Sequence, residues 1–357
     1  MTKGAFPRVS IVLPVLNAAG VLENCLLSVD RQTYPRDRYE VLIADGGSTD
    51  GSQAIALKHG ATVIDDRASR HMEDSKRAAL SQAKGEYIVF LDADNEITHA
   101  DYLELAVKAL AENPQALGLE AYYLASDKMT SLCAYLTHLL HISDPICWLM
   151  SAKPVPVATN GEVERWTLPP GTLAYPLGAN GFVYRRSDLD SVKAGEKFQD
   201  THVAMYLMES GKREWLRLRG RGVYHYYVDT LWNFLLKRRR AMVHFLNVRQ
   251  EFGTVWLEQR APVSKPLACA YCLSIVGPLY HALRGWRKTG DWRWLWHIPA
   301  SVASLLGAAW GWFTHRRQRG NKRIMTTLKR PQSLKKATHE RPADAVLSRR
   351  EGASKEP

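Results

Sequence analysis

The chain has 357 residues, 46% of them hydrophobic, and a formal net charge of +12. Its length and apolar content are sufficient for one catalytic domain of roughly 250 residues and an appendage. From Arg316 to the C-terminus there are 13 Lys and Arg residues against four acidic ones, so this tail carries +9 of the charge. The rest of the chain is nearly balanced, which argues against nucleic-acid binding by its surface.

Short apolar runs alternate with helical patterns in the N-terminal part of the chain. The patterns predict strands at 9–13, 40–45 and 61–65 and helices at 21–29, 52–59 and 73–83. This alternation predicts an α/β fold with a parallel, helix-covered sheet. Since three of the predicted strands end at Asp45, Asp65 and Asp92, we expect these acids to cluster at one edge of the sheet.

The fourth strand of this series is the most informative part of the chain. An apolar run from Tyr87 to Leu91 ends in two carboxylates one residue apart, Asp92 and Asp94. In open α/β sheets the ligand lies at the carboxyl ends of the strands. Paired carboxylates there can hold a divalent cation, which neutralises a diphosphate. The alternative is a solvated turn; the same spacing at 188 and 190 lacks a preceding apolar run and is interpreted as the start of a surface helix.

Three segments together resemble the family 2 glycosyltransferases, the inverting group with the GT-A fold. The segments read VSIVLPVLN at 9–17, DGGSTD at 45–50 and GEYIVFLDAD at 85–94. The resemblance implies a Rossmann-like, mixed GT-A sheet with helices on both faces, as in nucleotide-diphospho-sugar transferases. To this fold we add, from the apolar pattern further along the chain, a C-terminal apolar helical hairpin.

The resemblance also implies a donor site and a metal. The carboxylate of Asp45 would accept a hydrogen bond from the nucleobase, and Mg²⁺ or Mn²⁺ would bind Asp92 and Asp94. The full set of donor-binding residues would be Pro14, Val15, Asn17, Asp45, Gly46, Ser48, Asp92 and Ala93. His225 follows a strand-like run and is either a third metal ligand or a histidine of the core. Two departures from the family pattern, Val15-Leu16 and Asn95, leave the nucleobase open.

The second half of the chain is expected to supply the acceptor site and a base. Gly178, Asn180 and Gly181 precede a strand-like run and are candidates for close approach to acceptor or phosphate. Asp200 opens a helix that extends to about residue 209. It resembles the family's general base, with Gln199 in place of the usual Glu, and is equally compatible with a helix N-cap. Arg238 belongs to the basic run 237–240, which resembles a phosphate-contacting segment of relatives.

Two apolar stretches, 266–283 and 295–313, follow the catalytic part. Each approaches the length of ~20 residues that crosses a bilayer. If both crossed it, the four cations between them would lie outside the cell, against the positive-inside tendency. An interfacial or re-entrant hairpin avoids this conflict, and a hairpin buried against the catalytic domain is the alternative. Six tryptophans flank or belong to this region: 286, 292, 294, 296, 310 and 312.

These patterns predict four regions: a donor half (1–125), an acceptor and catalytic half (126–260), a membrane-associated helical hairpin (261–315) and a basic disordered tail (316–357). We expect residues 154–176 to form a loop over the acceptor cleft. Five cysteines form no metal framework. The absence of a signal peptide pattern predicts a catalytic domain on the cytoplasmic face of the inner membrane.

The predicted function is an inverting, metal-dependent transfer of a single sugar in cell-surface glycan synthesis. The donor would be a nucleotide-diphospho-sugar, expected to be UDP-linked, and the acceptor a lipid-linked glycan or polyprenyl phosphate. Single transfer is favoured because the Gln-x-x-Arg-Trp motif of processive synthases does not occur. The alternative, suggested by Gln199, is a catalytically inactive, membrane-bound nucleotide-sugar sensor or scaffold.

Overall fold

The computed structural model describes residues 6–69, 71–173, 175–178, 180–196, 198–252 and 261–328. Its strands are β1 (Val9–Val15), β2 (Tyr39–Asp45), β3 (Thr62–Asp65), β4 (Tyr87–Phe90), β5 (Asn95–Ile97), β6 (Tyr122–Leu124), β7 (Val155–Asn160), β8 (Val163–Thr167), β9 (Phe182–Arg185), β10 (Glu214–Leu218) and β11 (Gly222–His225). Its helices are α1 (Ala19–Asp30), α2 (Ser52–Lys58), α3 (Met72–Gln82), α4 (Tyr102–Glu112), α5 (Ser131–Thr137), α6 (Pro145–Met150), α7 (Arg186–Ser191), α8 (Asp200–Glu209), α9 (Leu231–Phe252), α10 (Lys265–Ser274), α11 (Val276–Thr289) and α12 (His297–Leu328).

The central sheet has the strand order β3-β2-β1-β4-β9. The first four strands are parallel, and β9 runs antiparallel to β4. Helices α1 and α4 pack on one face, against side chains such as Ile11 and Leu13. Helices α3, α7 and α8 cover the other face, against Val12 and Phe90. The predicted α/β fold with a helix-covered, parallel-rich sheet is therefore confirmed.

Two smaller sheets extend the fold around the end of β4. One has the order β5-β11-β6 and pairs His225 with Asn95, so that strand β11 lies beside the turn that follows β4. The other has the order β10-β8-β7. Strands β7 and β8 form a hairpin within residues 154–176, so the prediction of an irregular loop there was wrong. The segment alternates apolar and polar residues, as a strand does, and contains prolines, as a loop does. Its sequence therefore did not distinguish a hairpin from a loop.

The C-terminal helices pack on the catalytic part rather than forming an isolated hairpin. Helix α12 crosses α9 so closely that a Cβ on Gly307 would lie 2.6 Å from the carbonyl oxygen of Leu235. A Cβ on Gly311 would lie 2.5 Å from the carbonyl oxygen of Arg239. Small residues four apart thus allow two helix backbones to approach each other.

Polar contacts between buried or half-buried groups reinforce this packing. His297 at the start of α12 is hydrogen-bonded to Tyr135 of α5 (Nδ1 to Oη, 2.7 Å) and to Tyr271 of α10 (Nε2 to Oη, 2.8 Å). Trp296 donates to Ser131. The C-terminal region therefore shares a core with α5 and α9.

The expected apolar C-terminal hairpin is not found in the described chain. Residues 266–283 fall on α10 and α11, and residues 295–313 fall on a short 3₁₀ turn (Trp292–Trp296) and α12. No single helix among the described residues is long and apolar enough to cross a bilayer; α10 and α11 reach the required length and composition only together, and they meet at 80°. Helix α12 continues past the predicted 315/316 boundary to Leu328, and residues 329–357 of the predicted tail lie outside the described residues.

Candidate active site

The loops that follow β1 and β2 are bonded to each other. Asn17, with a left-handed backbone (φ 50°), donates its backbone N–H to the hydroxyl of Ser48. Its side-chain oxygen accepts from the backbone N–H of Thr49. Gly46 donates to the carbonyl of Val15, the register partner of Asp45. The residues predicted to bind the nucleoside therefore form one continuous edge, with Pro14 buried in β1 beneath it.

Asp45 is buried in this edge and is held by its own loop. Its carboxylate accepts from the backbone N–H groups of Gly47 and Ser48, the Ser48 hydroxyl and Nε2 of Gln53. Burial opposes ionisation, but the hydrogen bonds from Ser48 and Gln53 prevail and lower the pKa of Asp45. An ionised acceptor is thus placed at the predicted nucleobase position, although its present partners belong to the protein.

Asp65, in register with Asp45 on the neighbouring strand, does not join this site. Its side chain is 61% exposed and pairs with Arg67. Asp92 lies beyond β4, with β1 between it and β2. The three strand-terminal acids share an edge, as predicted, but they form no single site, because Asp65 faces solvent and strand β1 separates Asp92 from Asp45.

Asp92 and Asp94 lie in a tight turn directly after β4, with Ala93 between them. Asn95 stabilises the turn: its side-chain oxygen accepts from the backbone N–H of Asp92 at 3.1 Å, and its own N–H donates to the carbonyl of Asp92. Asn95 is fully buried, which explains why an amide rather than a charged group follows the acidic pair.

The surroundings of Asp94 bring in two residues from later in the chain. His225 lies with Nε2 3.6 Å from Oδ1 of Asp94, and Lys237 of α9 lies with Nζ 3.8 Å from Oδ2. The ring of His225 also packs edge-on against Tyr123 in the core. Both predicted roles of this histidine are therefore compatible with its position.

The acidic pair fits a hard divalent cation. Oδ1 of Asp92 is buried and accepts no hydrogen bond from the described residues, although Nζ of Lys76 lies 3.4 Å away. No cluster of three or more His, Cys, Asp or Glu side chains suited to a metal is found within the described ranges. Mg²⁺ is commonly held by one or two carboxylates together with substrate phosphates, and Asp92 and Asp94 match that mode.

Asp200 is the first residue of α8, and its carboxylate does not cap the helix. Gln199 is the N-cap: its side-chain oxygen accepts from the backbone N–H of His202 at 2.9 Å. The substitution of Gln for the usual acid therefore retains the cap, and the alternative reading of Asp200 as the N-cap was wrong. The Asp200 side chain is 7% exposed and turns toward α3 instead.

A buried lysine connects the two acidic positions. Nζ of Lys76, on α3, lies 2.7 Å from Oδ2 of Asp200 and 3.4 Å from Oδ1 of Asp92. The lysine side chain is completely buried. Burial alone would lower the pKa of Lys76 and favour its neutral form. The charges of Asp200 and Asp92 instead keep this pKa well above the usual value. One ammonium group therefore joins the candidate metal-binding acid to the candidate base.

The electrostatics of Asp200 suit a proton acceptor. Burial and the neighbouring charge of Glu73 raise the pKa of Asp200 well above its usual value, and Lys76 partly offsets them. Glu73 also accepts from the backbone N–H of Asp200 at 3.2 Å. A carboxyl group with a raised pKa is the form in which general acid–base catalysis is effective near neutral pH.

The glycines predicted at the acceptor site are required by the fold. Gly178 (φ +111°) lies against Asp200, since a Cβ would be 2.7 Å from its carbonyl oxygen. Gly181 (φ +87°) donates to the carbonyl of Phe90 at the end of β4. Asn180, between them, buries a side-chain oxygen that has no hydrogen-bond partner among the described residues. These residues lie between β4 and α8, where they position Asp200.

Arg238 is held away from the acidic turn. Its Nη1 lies 3.3 Å from Oδ2 of Asp144, the N-cap residue of α6, and its guanidinium also contacts Tyr227. The neighbouring Lys237 is the member of the basic run that reaches Asp94. Arg238 lines a cavity beside α6. If Arg238 contacts a phosphate, as predicted, that phosphate lies in this cavity.

The second acidic pair differs from its sequence interpretation in one respect. Asp188 and Asp190 lie at the start of α7 as predicted. Asp190 is exposed, but Asp188 is buried and pairs with Arg185 and Lys212. The surface assignment of Asp188 was therefore wrong, because partners distant in sequence compensate its burial.

The N-terminal part of the chain is similar to known glycosyltransferases. Residues 10–129 match the domain described as glycosyl transferase family 2. The chain is 34% identical over 112 residues to Glycosyltransferase AglE of Haloferax volcanii, covering 29% of this chain and 36% of that protein. It is 28% identical over 167 residues to dolichyl-phosphate beta-glucosyltransferase of Drosophila melanogaster, covering 42% and 51%. The chain thus spans about a third to a half of the length of these two curated relatives.

A solved structure extends the likeness beyond the donor half. Mannosyltransferase PcManGT from Pyrobaculum calidifontis, solved in complex with GDP-Man and Mn²⁺, superposes with a TM-score of 0.51 over 85% of this chain and 87% of that one, at 18% identity. At this identity the likeness concerns the fold. The match to the family 2 glycosyltransferase domain covers residues 10–129, and the fold is similar to that of the mannosyltransferase.

Sequence reasoning missed Lys76, Glu73 and Lys237. A signal for Lys76 was present: with Ala79 and Leu80 it falls on the buried stripe of α3 at helical spacing. A lysine on an apolar stripe requires a buried counter-charge, but the sequence alone did not identify Asp200, 124 residues away.

Proposed function

We propose that the protein is an inverting glycosyltransferase that moves one sugar from a nucleotide-diphospho-sugar, expected to be UDP-linked, to a lipid-linked or polyprenyl-phosphate acceptor. The observation that carries the proposal is the bridge from Asp92 through Lys76 to Asp200. It puts a carboxylate with a raised pKa next to the acidic turn at the carboxyl end of β4. Ligands in open α/β sheets bind at this end of the strands.

In the proposed reaction the carboxylate of Asp200 accepts the proton of the acceptor hydroxyl. The hydroxyl oxygen forms a bond to the anomeric carbon on the face opposite the leaving group, and the bond between that carbon and the diphosphate oxygen breaks. The nucleoside diphosphate leaves with the electron pair. A divalent cation held by Asp92 and Asp94 would supply charge neutralisation to the diphosphate. Asn95 fixes the turn that aims these two carboxylates.

A donor screen tests this proposal directly. Purified protein is incubated with individual nucleotide sugars and Mn²⁺ or Mg²⁺, and release of nucleoside diphosphate is measured. We expect slow, metal-dependent hydrolysis of one donor class, because water can replace the acceptor. Donor binding without turnover, with or without lipid acceptors, would instead favour the sensor or scaffold function.

The lipid-linked acceptor is supported by the class of the relatives. One is named dolichyl-phosphate beta-glucosyltransferase and others PGL/p-HBAD biosynthesis glycosyltransferase. Polyprenyl phosphates and lipid-linked glycans are accordingly the acceptors to test first. The proposed biological role is cell-surface glycan synthesis.

We further propose that the enzyme docks on the cytoplasmic face of the inner membrane. Helices α10 and α11 expose large apolar side chains, with exposed fractions of 72% for Leu273 and 71% for Val276. Exposed basic residues follow on α11: Arg284, Arg287 and Lys288. Apolar residues rimmed by cations match an interfacial segment on anionic lipid.

Sedimentation with lipid vesicles tests docking. We expect binding to phosphatidylglycerol-containing vesicles to exceed binding to pure phosphatidylcholine. Leu273→Glu combined with Val276→Glu should abolish it. Leu57→Glu serves as the control because Leu57 is 64% exposed on α2. Equal sedimentation of the α10–α11 double variant and the wild type would contradict docking through this surface.

A further inference from the structure

A cavity of about 580 Å³ lies beside the candidate base, between the catalytic part and the C-terminal helices. Helices α6, α9, α10 and α12 contribute its walls. The walls are mainly apolar and include Ile146, Met150, Met242, Phe245, Leu305 and Trp312. Its volume falls within the range of cavities that bind small organic ligands, and its lining suits an aliphatic chain.

The cavity reaches the start of α8, next to the candidate base. Gln199, the residue before Asp200, lines it. A smaller polar pocket of about 200 Å³ is lined by Glu73, which contacts Asp200, and it shares Gln199, His244 and Val248 with the larger cavity. A molecule lying in the cavity can therefore present its polar end beside the first turn of α8, which begins at Asp200.

The opposite wall belongs to the proposed membrane-docking surface. Lys265 and Cys269 of α10 line the cavity. Leu267, on the same helix, is 60% exposed, and Leu273 is 72% exposed. One helix thus contributes both to the cavity wall and to the exposed apolar surface, which places the cavity between that surface and the catalytic residue.

One cation of the cavity lining can bind an anionic group. Arg238 lines the cavity and lies 3.3 Å from Asp144, which also accepts from the hydroxyl of Ser304. Nε of Arg238 is buried without a hydrogen-bond partner among the described residues. The cavity therefore combines an apolar interior with a guanidinium N–H that can donate to an anion.

We propose that this cavity binds the first segment of the alkyl or prenyl chain of a lipid-phosphate acceptor, with the phosphate, which is the group that accepts the sugar, between Arg238 and Gln199 beside the start of α8. This inference rests on the proposed transferase function and specifies its acceptor. It assigns α10 and α12 to substrate binding in addition to membrane contact.

Matched variants on α12 test the cavity. Ala308 lines it, whereas Ala309, the next residue, is exposed and does not. We expect Ala308→Phe to lower affinity for dodecyl phosphate at least tenfold in calorimetry while leaving butyl phosphate and nucleotide-sugar affinities unchanged. Ala309→Phe should match the wild type. Leu305→Trp and Leu306→Trp form a second matched pair, since only Leu305 lines the cavity, and they serve if Ala308→Phe fails to fold.

Chain length and charge provide further readouts. In the wild type, affinity for alkyl phosphates should rise about fourfold per CH₂ group until the cavity is filled, which corresponds to ~0.8 kcal/mol per buried CH₂. Dodecyl phosphate should bind at least about fivefold more tightly than dodecanol, because Nε of Arg238 can donate to the phosphate.

The outcomes separate this inference from the proposed function. If lipid phosphates are glycosylated but the two members of each matched pair bind dodecyl phosphate equally, the cavity assignment is overturned and the transferase function stands. If the cavity variants alone lose dodecyl phosphate binding while no lipid phosphate is glycosylated, the cavity assignment is upheld and the proposed acceptor is wrong.

Discussion

Nζ of Lys76 lies 2.7 Å from Oδ2 of Asp200, and both side chains are buried. The pair joins α3, which covers the donor half, to the first turn of α8. Because each charge depends on the other for compensation, the pair links the stability of the fold to the protonation of the candidate base.

Replacing the lysine should affect stability and pH dependence together. Lys76→Met leaves Asp200 buried without its cation, so we expect about 3–5 kcal/mol loss in the free energy of unfolding. The pKa of Asp200, already raised, should rise further because Lys76 lowers it. The acid limb of the kcat/KM profile should therefore move to higher pH.

In the Lys76→Met, Asp200→Asn double variant the stability losses should be clearly less than additive; additive losses would show that the two groups are not coupled.

Removing the carboxylate should reduce turnover far more than donor binding. Asp200→Asn keeps a side chain of the same size, and Gln199 continues to cap α8. We expect turnover to fall by roughly 10² to 10⁴, the usual contribution of a general base, with donor affinity retained. Steady-state kinetics and donor calorimetry on one preparation measure both. Near-normal turnover in Asp200→Asn would place the base elsewhere.

The acidic turn should control metal-dependent donor binding. Asp92→Asn or Asp94→Asn should abolish transfer and remove the gain in donor affinity that Mn²⁺ provides, since an amide is a weaker ligand for a hard cation. Calorimetry of donor with and without Mn²⁺ measures this. Asp190→Asn is the control because Asp190 is exposed, whereas Asp188 is buried and ion-paired. Unchanged Mn²⁺ dependence in both turn variants would exclude the site.

Acid should loosen the C-terminal helices through His297. Burial lowers the pKa of His297 from about 6.5 to about 3. The unfolded chain therefore binds this proton first, and stability is lost as pH falls from about 6.5 toward 3, by at most ~1.4 kcal/mol per pH unit. His297→Gln should show a shallower decline over this window in chemical denaturation. Parallel curves for the two proteins would assign the acid sensitivity to other groups.

The close crossing of α12 and α9 should not tolerate a side chain at Gly307. A Cβ there would lie 2.6 Å from a backbone oxygen, so Gly307→Ala should cost about 1–3 kcal/mol of stability. Gly20→Ala is the matched control: its Cβ would meet nothing within 4 Å on α1, and it should stabilise by about 0.5–1 kcal/mol. Thermal unfolding of the two variants should shift in opposite directions. Equal shifts would mean that the crossing is looser than described.

The same packing determines the effect of truncation. Deletion from residue 266 onward would leave a folded, donor-binding domain only if the C-terminal helices packed independently of the catalytic part. It would remove the partners of Tyr135 and Asp144 and uncover one side of α9. Since α9 carries Lys237, the neighbour of Asp94, we expect the shortened chain to lose donor affinity as well as stability.

The sequence by itself determined the donor half. Strands β1 to β4 and helices α1 to α3 follow from apolar runs and helical spacing because their signals are local, and periodic burial along a strand or helix is encoded residue by residue. The acidic turn at 92–94 was predictable for the same reason: a buried strand that ends in paired carboxylates is a local pattern. Asp200 was identified by resemblance, and α8 starts within the predicted run 198–202.

Only the tertiary structure decided which distant groups compensate each other. Lys76 pairs with Asp200, and His297 is hydrogen-bonded to Tyr135, although each pair is separated by more than a hundred residues in the sequence. Hydrophobic periodicity contains no information about such pairs. The C-terminal apolar stretches carry a composition that suits either a bilayer or a protein interior, because both exclude water. Packing against α9, through Gly307 and Gly311, determined that α12 is buried on one side by protein. Burial of a charge or an apolar helix is a property of its neighbours, and those neighbours come from chain folding rather than from the local sequence.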